Sequence, residues 1–461
     1  MMVNPLIFRE YDIRGLHATD LTPEVVQLIG KALGTYLLRR GESSLCVGRD
    51  VRTSSPRLKE NLIDGLLSTG IHVYDVGEVP TPALYFSILH LRAGGGVQVT
   101  GSHNPTEYNG FKMCHGLAAI YGEEIQHLRG LIDKNEFETG YGSVIPHNVL
   151  DDYVADIKSR VKLARPLKVV IDAGNGCASE IAPKLFDDLG CEVIPLYCTI
   201  DGTFPNHLPD PTVLEYLKDL IAKVKETGAD LGIGYDGDAD RIGAIDNQGR
   251  VVPGDRLLAI FARDVLTRAP GSKIIFDVKC SQALPEDVRA HGGEPVMWKT
   301  GHSLIKAKMK QTNALLAGEM SGHIFFAEGF HGYDDAIYGS ARLASILAGG
   351  KQKMARIADS IPKFVSTPEL RVTATDEDKF RIVRELVEHF KREREVIDID
   401  GVRVLFGDGW GLVRASNTQP VLVMRFEAKT EKRLREIAEI MLAKVRTYPS
   451  VDVKDLTLEI I

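Results

Sequence analysis

The chain has 461 residues, of which 44% are hydrophobic and 26% charged, a balance typical of soluble proteins. This length suggests roughly three or four domains rather than a single core. Its 56 Lys and Arg residues and 63 Asp and Glu residues give a net charge of −7, which disfavours a nucleic-acid partner because that partner needs a basic surface. It contains no apolar stretch long enough to cross a bilayer, and its start lacks the pattern of a signal peptide. We therefore expect a cytoplasmic protein without a membrane partner, whose six cysteines are reduced.

In chain order, the predicted elements are an early helix, which Thr22 can cap, and then a unit that occurs three times. The repeated unit covers residues 44–77, 168–197 and 273–301. Each copy has a β-branched strand, a polar loop, a helix-length stretch, a glycine suited to a helix C-terminus and a second strand. This order predicts three βαβ units with parallel strands and right-handed crossovers.

Each repeated unit is followed by one more apolar strand that ends in a polar loop. The three stretches are GVQVTGSHNP at 96–105, ADLGIGYDGDADR at 229–241 and ALLAGEMSGH at 314–323. Because ligands of open α/β sheets bind beyond the carboxyl ends of the strands, we expect these three loops to face a shared cleft.

The C-terminal part has a different pattern. Helical spacing of apolar residues in 375–393, short strands in 402–429 and a second helix in 431–446 predict a smaller domain. The predicted fold class is α/β, with three related α/β domains of mixed, mostly parallel sheets and a smaller α+β C-terminal domain around a central cleft. The predicted domains cover residues 1–150, 151–252, 253–365 and 366–461.

The first polar loop contains Ser102 and His103 at the end of a strand, where sheet proteins often carry functional residues. Pro105 pushes Asn104 out of the helical region and has no amide proton, so we expect an exposed turn rather than the start of a helix. For a Ser-His pair considered alone, an ordinary polar turn is the favoured interpretation.

The second loop, DGDADR, places Asp236, Asp238 and Asp240 at alternating positions. Three carboxylates this close repel one another unless a cation lies between them, and oxygen ligands favour Mg²⁺ or Ca²⁺. An EF-hand is excluded, because its sixth position, which needs glycine, is Arg241, and its twelfth, which needs Glu, is Asn247. The alternative is a solvated acidic turn. Since an arginine beside a cation suggests a bound phosphate, we favour Mg²⁺.

The third loop, GEMSGH, offers the Glu319 carboxylate and the Ser321 hydroxyl two residues apart, with His323 after a second glycine. In an extended segment both side chains point to one side and could bind neighbouring sugar hydroxyls. Considered alone, a buried cap or turn is the favoured interpretation of this loop.

A fourth loop, RASNTQP at 414–420, lies in the predicted C-terminal domain. Its guanidinium group, hydroxyls and free turn amides match the oxygens of a phosphate monoester. Its Ser-Asn-Thr sequence is also typical of a hairpin loop. Taken alone, the loop supports the two interpretations equally.

Together, the four loops in this order, with YDIRG at 11–15, closely resemble the α-D-phosphohexomutase superfamily, specifically its phosphomannomutase/phosphoglucomutase branch. The resemblance covers the whole chain and puts each loop in a different predicted domain. It implies a phosphohexomutase that interconverts hexose 1-phosphate and hexose 6-phosphate, of mannose, glucose or both, through a phosphoserine. It also implies hexose 1,6-bisphosphate as activator and intermediate. We expect a monomer or homodimer whose partners are small hexose phosphates.

The same resemblance implies roles for individual residues. Ser102 resembles the serine that carries a phosphoryl group, which contacts a metal ion, and Arg241 would stabilise this phosphoserine. The implied ligands of one Mg²⁺ per chain are Ser102, Asp236, Asp238 and Asp240. The positions implied in proton transfer and charge stabilisation are Lys112, His302 and His323, and all three stay open as the general base. The residues implied in substrate binding are Tyr11, Arg14, His103 and Lys279 in the cleft, Glu319 and Ser321 at sugar hydroxyls, and Arg414, Ser416, Asn417 and Thr418 at the non-reacting phosphate.

Three alternatives compete with this interpretation. A phosphoserine-dependent sugar phosphatase would share the nucleophile and the metal, but it has no need of a dedicated second phosphate loop. A phosphoglucosamine mutase belongs to the same superfamily, and Met320 in GEMSGH resembles the hexose branch instead. A sugar-phosphate-binding protein without turnover would not need Ser102 together with the three aspartates.

Overall fold

The computed structural model describes residues 3–416, 420–451 and 458–460, which form four domains, each built on its own β-sheet. The elements of the first domain are β1 (Ile13–Leu16), α1 (Pro23–Leu38), β2 (Ser44–Arg49), α2 (Ser55–Leu67), β3 (His72–Glu78), α3 (Thr81–His90), β4 (Gly95–Val99), β5 (Tyr108–His115), β6 (Ala118–Ala119), α4 (Glu123–Lys134) and β7 (Val144–Pro146). Those of the second are α5 (Leu150–Arg160), β8 (Lys168–Asp172), α6 (Ile181–Asp188), β9 (Glu192–Leu196), α7 (Lys218–Thr227), β10 (Leu231–Tyr235), β11 (Ile242–Asp246) and β12 (Val251–Val252).

The elements of the third domain are α8 (Gly254–Arg268), β13 (Lys273–Asp277), α9 (Ala283–Ala290), β14 (Glu294–Trp298), α10 (His302–Thr312), β15 (Leu316–Gly318), β16 (Ile324–Phe326), α11 (Ala336–Gly349) and α12 (Met354–Asp359). Those of the fourth are β17 (Val365–Ser366), β18 (Leu370–Thr373), α13 (Asp376–Lys391), β19 (Val396–Ile397), β20 (Val402–Leu405), β21 (Gly409–Ala415), β22 (Val421–Ala428) and α14 (Glu431–Val445).

The first three domains repeat one sheet topology. In the first, β2 pairs in parallel with β3 on one side and with β4 on the other, and β5 pairs antiparallel with β4. The second domain repeats this pairing with β8, β9, β10 and β11, and the third with β13, β14, β15 and β16. The prediction of three related α/β domains is therefore confirmed. The sheets are more evenly mixed than predicted, because the chain reverses after each polar loop and adds an antiparallel strand.

This topology explains where the three polar loops lie. β4, β10 and β15 hold the same place in their sheets, and each continues into a loop and an antiparallel strand. All five residues of β4 and all five of β10 are buried, which is typical of a strand covered on both faces. The loops thus start from equivalent strand ends.

The fourth domain is an antiparallel sheet with two helices packed against it. β21 lies between β20 and β22, and α13 and α14 contribute to one core with these strands. Each helix begins behind a threonine whose side chain accepts a backbone hydrogen bond, Thr375 for α13 and Thr430 for α14. The predicted α+β C-terminal domain is confirmed.

One hydrophobic core runs through parts of the first three domains, whereas the fourth domain has its own. The shared core joins Tyr85 of α3, Ile233 of β10 and Phe326 of β16. The buried residues of the separate core all lie between Leu370 and Val451. Because apolar burial contributes about 25 cal/mol per Å², the shared core stabilises the relative position of the first three loops.

The structure gives the pairing state of the cysteines and the character of the helices. All six cysteines are free and five of them are buried. Cys191 and Cys198, at the two ends of β9, are not bridged. Among the helices of the described residues, none combines the length and the apolar character needed to cross a membrane.

Candidate active site

Ser102 lies where the loop after β4 meets the loop after β10. Its Oγ is 3.0 Å from Oδ2 of Asp236 and 3.0 Å from Nδ1 of His103. The backbone of Ser102 has a φ of +50°, in the left-handed region that a non-glycine residue adopts only when its surroundings hold it there. The residue is only 2% exposed, so the prediction of an exposed turn is wrong at this position. The second domain covers the serine, which a local turn pattern does not show.

The side chain of Arg52 holds the loop that contains Ser102 in place. Its buried guanidinium donates to four backbone carbonyls of the loop and the following strand: Ser102 at 2.9 Å, Asn104 at 2.5 Å, Pro105 at 2.7 Å and Tyr108 at 3.1 Å. Hydrogen bonds from a charged group to backbone carbonyls are stronger than neutral ones. Arg52 therefore holds the unusual backbone shape that presents Ser102.

Asp50 completes this support from the loop after β2. Its carboxylate accepts hydrogen bonds from the backbone N–H groups of Gly101 and Arg52, each at 3.0 Å. A Cβ on Gly101 would lie 2.4 Å from Nε of Arg52, so only glycine fits between the loop and the guanidinium. Sequence analysis missed both Asp50 and Arg52, although the RDVR stretch also follows a strand of the first repeat.

Three aspartates form a buried cluster next to Ser102. Asp236, Asp238 and Asp240 each offer one carboxylate oxygen within 4.8 Å of the others, and all three side chains are fully buried. Oδ1 of Asp238 and Oδ1 of Asp240 are buried, and neither has a hydrogen-bond partner in the described part of the chain. Burial raises the pKa of Asp236 well above its usual value, and the charges of Asp240 and Asp238 add to this. Buried carboxylate oxygens that lie this close together without hydrogen-bond partners are suitable ligands for a divalent cation.

Lys112 on β5 reaches the same carboxylates. Its Nζ donates to Oδ2 of Asp238 at 2.7 Å and also to Oδ2 of Asp240. Burial opposes the charge on Lys112, but the Asp238 and Asp240 carboxylates outweigh it, so the pKa of Lys112 lies above its usual value. Thr81, at the start of α3, donates its hydroxyl to Asp238 at 2.5 Å. The first domain thus supplies both a charge and a hydroxyl to the cluster of the second.

His323 joins the third polar loop to the other two. Its Nε2 accepts a hydrogen bond from Nε of Arg241 at 2.9 Å, so its proton is on Nδ1. That Nδ1 lies 3.2 Å from the carboxylate of Asp334 and 3.6 Å from that of Asp240. Asp334 is fully buried and also accepts from Nζ of Lys306 at 3.0 Å. Sequence analysis missed Asp334, because it follows β16 and belongs to none of the recognised loops.

His302, the first residue of α10, packs against this arrangement. Its ring stacks on His323 with the centroids 5.6 Å apart and an interplanar angle of 26°. Its other neighbour is the ring of Tyr11, edge-on at 6.4 Å. Burial lowers the pKa of His302 well below its usual value, and the charge of Lys306 adds to this while that of Asp334 opposes it. His302 is therefore neutral beside His323, with a side chain that is 11% exposed.

Glu319 is held in a tight turn rather than in the extended segment considered from the sequence. The N–H of Gly322 donates to the Glu319 carbonyl at 3.0 Å and closes the turn. The Glu319 carboxylate accepts from Ser321 Oγ at 3.0 Å and from the N–H of Gly301 at 2.6 Å. The two predicted sugar-binding side chains are thus in direct contact.

A chain of contacts links the first, third and fourth domains on this side of the cleft. The Tyr11 hydroxyl donates to the Thr300 carbonyl at 2.7 Å, and the Thr300 N–H donates to the Asp400 carboxylate at 3.0 Å. Asp400 also accepts from Nε of Arg414 at 3.1 Å. Arg414 is therefore positioned by Asp400, which sequence analysis did not identify.

The remaining predicted residues lie around these contacts. Arg14 pairs with Asp12 at 2.5 Å, and Lys279 pairs with Glu369 of the fourth domain at 3.0 Å. The N–H of Ser416, which follows β21, donates to the carbonyl of Val421, the first residue of β22. Asn417 and Thr418 lie outside the described residues. The structure therefore brings most predicted residues into two groups, one at Ser102 and the aspartates and one at Glu319, Lys279 and Arg414.

Two buried arginines attach the fourth domain to the third. Arg403 donates to the carbonyls of Val278 at 2.5 Å and Cys280 at 2.9 Å, and Arg425 donates to that of Lys279. Arg425 also contacts Sδ of Met320 in the third polar loop, at 3.3 Å. These arginines fix the loop of Lys279, and no sequence motif singled them out.

Comparison with known proteins agrees with this arrangement. The phosphoglucomutase/phosphomannomutase family matches four consecutive parts of the chain: its alpha/beta/alpha domain I at residues 5–139, domain II at 151–249, domain III at 253–364 and its C-terminal domain at 369–444.

Individual relatives extend over nearly the whole chain. A phosphomannomutase/phosphoglucomutase of Pseudomonas aeruginosa is 51% identical over 445 residues, 96% of this chain and 96% of that protein. A phosphoglucomutase of Neisseria meningitidis serogroup A is 44% identical over 450 residues, 96% of this chain and 98% of that protein. The crystal structure of a phosphoglucomutase/phosphomannomutase family protein from Burkholderia thailandensis is similar with a TM-score of 0.91 at 45% identity, and covers 97% of this chain and 98% of that one. The chain belongs to the phosphoglucomutase/phosphomannomutase family.

Proposed function

We propose that this protein is a phosphohexomutase that interconverts hexose 1-phosphate and hexose 6-phosphate, with the phosphates of mannose and glucose as substrates. The observation that carries this proposal is the meeting of two equivalent loops, in which the Ser102 hydroxyl lies 3.0 Å from Asp236 among three buried carboxylates. The names of the relatives from Pseudomonas aeruginosa and Neisseria meningitidis support it. The proposal includes a cytoplasmic enzyme, monomeric or homodimeric, whose partners are small sugar phosphates.

The buried carboxylates would hold one Mg²⁺ per chain. Asp236, Asp238 and Asp240 supply only oxygen ligands, and two of their oxygens accept no hydrogen bond from any described residue. The phosphorylated Ser102 would supply a further oxygen from the opposite loop. When bound, the ion would neutralise negative charge on the phosphoryl group.

The chain's own residues account for the transfer itself. The bond between Ser102 Oγ and phosphorus breaks while O6 of a hexose 1-phosphate forms the new bond, which gives a hexose 1,6-bisphosphate. O6 loses its proton in this step, and Ser102 Oγ takes one up. The bisphosphate then reorients within the site, so that its 1-phosphate can be transferred to Ser102 by the reverse step. Arg241 and Lys112 would stabilise the charge on the transferring group in both directions.

His323 is the group we favour as the proton acceptor. Its Nε2 carries the lone pair to which Arg241 donates, so this nitrogen would take up a proton once Arg241 turns to the phosphoryl group. Asp334, 3.2 Å from Nδ1, would stabilise the imidazolium that forms. In this arrangement Lys112 provides charge, and His302 supports the ring of His323 by stacking on it.

The second group of residues would hold the substrate in both orientations. Arg414 and Ser416, with Asn417 and Thr418, would bind the phosphate that is not reacting. Glu319 and Ser321 would bind the O3 and O4 hydroxyls and leave C2 without a contact. Since glucose and mannose differ only at C2, this predicts activity on both. The other residues proposed to contact the substrate are Tyr11, Arg14, His103 and Lys279.

The experiment that tests the proposal is ³¹P NMR of the protein with Mg²⁺ and a trace of hexose 1,6-bisphosphate. Glucose 1-phosphate, mannose 1-phosphate and glucosamine 1-phosphate are supplied separately. We expect the first two to become 6-phosphates, with glucosamine 1-phosphate converted much more slowly. Preference for glucosamine 1-phosphate would contradict the proposed substrate, and release of inorganic phosphate without isomerisation would contradict the mutase.

A pair of variants tests the nucleophile. Ser102→Ala is expected to lose most of the turnover while it stays folded, because its hydroxyl has just two hydrogen-bond partners among the described residues. Thr106→Ala removes a hydroxyl from the same loop and serves as the matched control, with activity expected near that of the wild type. Full activity of Ser102→Ala with bisphosphate present would show that another group carries the phosphoryl group.

A further inference from the structure

A second group of potential metal ligands lies away from the cleft, where the first domain continues into the second. His90 is the last residue of α3, His147 lies between β7 and α5, and Asp152 is in the first turn of α5. One ring nitrogen from each histidine and one carboxylate oxygen lie within 4.8 Å of one another. The proposed mutase reaction uses none of these residues.

We propose that His90, His147 and Asp152 form a binding site for a transition-metal ion of the Zn²⁺ type. Two ligands on a tetrahedral Zn²⁺ with ordinary bond lengths are about 3.3 Å apart. Nε2 of His90 and Oδ2 of Asp152 are 3.3 Å apart. Three protein ligands leave a fourth position for water, as in zinc sites with an open position. The remaining ligand distances are at most 4.8 Å, so small side-chain rotations on binding would close them.

The histidines are arranged for such a role in two respects. Nε2 of His147 is buried and has no hydrogen-bond partner among the described residues, so a bound ion would satisfy it. The ring of His90 stacks on Phe86 one turn earlier in α3, with the centroids 5.2 Å apart, which limits its rotation. The group is thus more than a chance pairing of two exposed charges.

The ligand types separate this site from the aspartate cluster. Imidazole nitrogens favour Zn²⁺, Ni²⁺ or Cu²⁺, whereas Mg²⁺ favours oxygen ligands alone. Excess Mg²⁺ is therefore expected to fill the aspartate cluster and to leave the His90 site available. This difference allows the two sites to be measured in one protein.

A metal at this site would connect two domains. His90 belongs to α3 of the first domain and Asp152 to α5 of the second. α5 also carries Tyr153, whose hydroxyl donates to the Asp335 carboxylate of the third domain at 2.9 Å. An ion that binds only the folded arrangement stabilises it by mass action. Zn²⁺ is therefore expected to raise the thermal midpoint.

The test is equilibrium dialysis of the full-length protein against Zn²⁺ in excess Mg²⁺. His147→Ala is compared with the wild type and with His115→Ala, the matched control. His115 is paired with Glu42 at 3.1 Å, and no third ligand is grouped with this pair among the described residues. We expect the wild type and His115→Ala to bind one Zn²⁺ more than His147→Ala. Equal Zn²⁺ binding by all three proteins would overturn the proposal.

A second variant and a second measurement distinguish the loss of the metal site from misfolding of a variant. His90 and Asp152 have side chains that are 38% and 55% exposed, so His90→Ala is expected to fold normally and to keep full mutase activity. Thermal midpoints are measured with and without Zn²⁺ in excess Mg²⁺. We expect Zn²⁺ to raise the midpoint of the wild type and of His115→Ala, and to leave that of His90→Ala unchanged. The same rise in all three would overturn the proposal.

Discussion

Replacement of Arg52 by lysine is expected to slow phosphoryl transfer far more than it weakens substrate binding. The guanidinium of Arg52 reaches four carbonyls, which belong to Ser102, Asn104, Pro105 and Tyr108. A lysine keeps the charge beside Asp50, but its single nitrogen cannot reach acceptors that are spread along the loop. A hydrogen bond from a charged donor contributes about 1.5–3 kcal/mol, so the loss of two or more of these four is enough to let the loop leave its left-handed shape.

The expected effect on the rate follows from the position of Ser102. A displacement of a reacting group by about 1 Å can lower a rate about 100-fold. Steady-state kinetics should therefore show a kcat for Arg52→Lys lower by about this factor, with a similar KM, because Arg414 and Glu319 are untouched. The matched control is Arg57→Lys, since Arg57 also donates to two carbonyls, those of His17 and Leu21, but not to this loop. Equal kcat values for the two variants would refute the reasoning.

Three further predictions concern carboxylates. Burial raises the pKa of Asp335 to about 7, above about 3.9 in an unfolded chain. The matched control is Asp335→Asn, which keeps the helix cap. Relative to this variant, the free energy of unfolding of the wild type should fall by up to about 1.4 kcal/mol per pH unit between about pH 4 and about pH 7. Unfolding experiments at several pH values measure this difference. Removal of Mg²⁺ with EDTA should abolish turnover, and Asp238→Asn should raise the Mg²⁺ concentration that gives half-maximal rate; an unchanged requirement would contradict the ligand assignment. Asp334→Asn should lower kcat with little change in KM, and in a His323→Ala background it should add no further loss.

The repeated architecture could be predicted from the sequence because it rests on local patterns. Strand, loop and helix follow one another in each repeat, so the positions of the loops of Ser102, Asp236 and Glu319 followed from the order of elements alone. The polar residues in these loops also belong to short motifs, such as DGDADR and GEMSGH, that can be recognised in the sequence. Such patterns can be recognised without knowledge of any long-range contact.

The supporting residues could not be predicted in this way. Arg52 acts on backbone carbonyls, which every residue has, so no side-chain pattern identifies its partners. Asp334 meets His323 only when the segment after β16 folds back along that strand, where Asp334 pairs with Phe325. The burial of Ser102 depends on the second domain, which lies more than a hundred residues away in sequence. Each of these features is a property of tertiary packing rather than of local sequence.

The separate core of the fourth domain has a consequence for how the protein opens. The first three domains share apolar packing, so a local fluctuation in one of them disturbs the others. The fourth domain meets the third through polar contacts, such as the hydrogen bonds of Arg403 and Arg425, and through one small apolar cluster of Val278 with Trp410 and Leu412. Its backbone amides should therefore exchange with deuterium through an opening that leaves the serine and aspartate loops protected. We therefore expect the residues that would hold the non-reacting phosphate to separate from Ser102 and the aspartates in this opening, while the latter stay assembled.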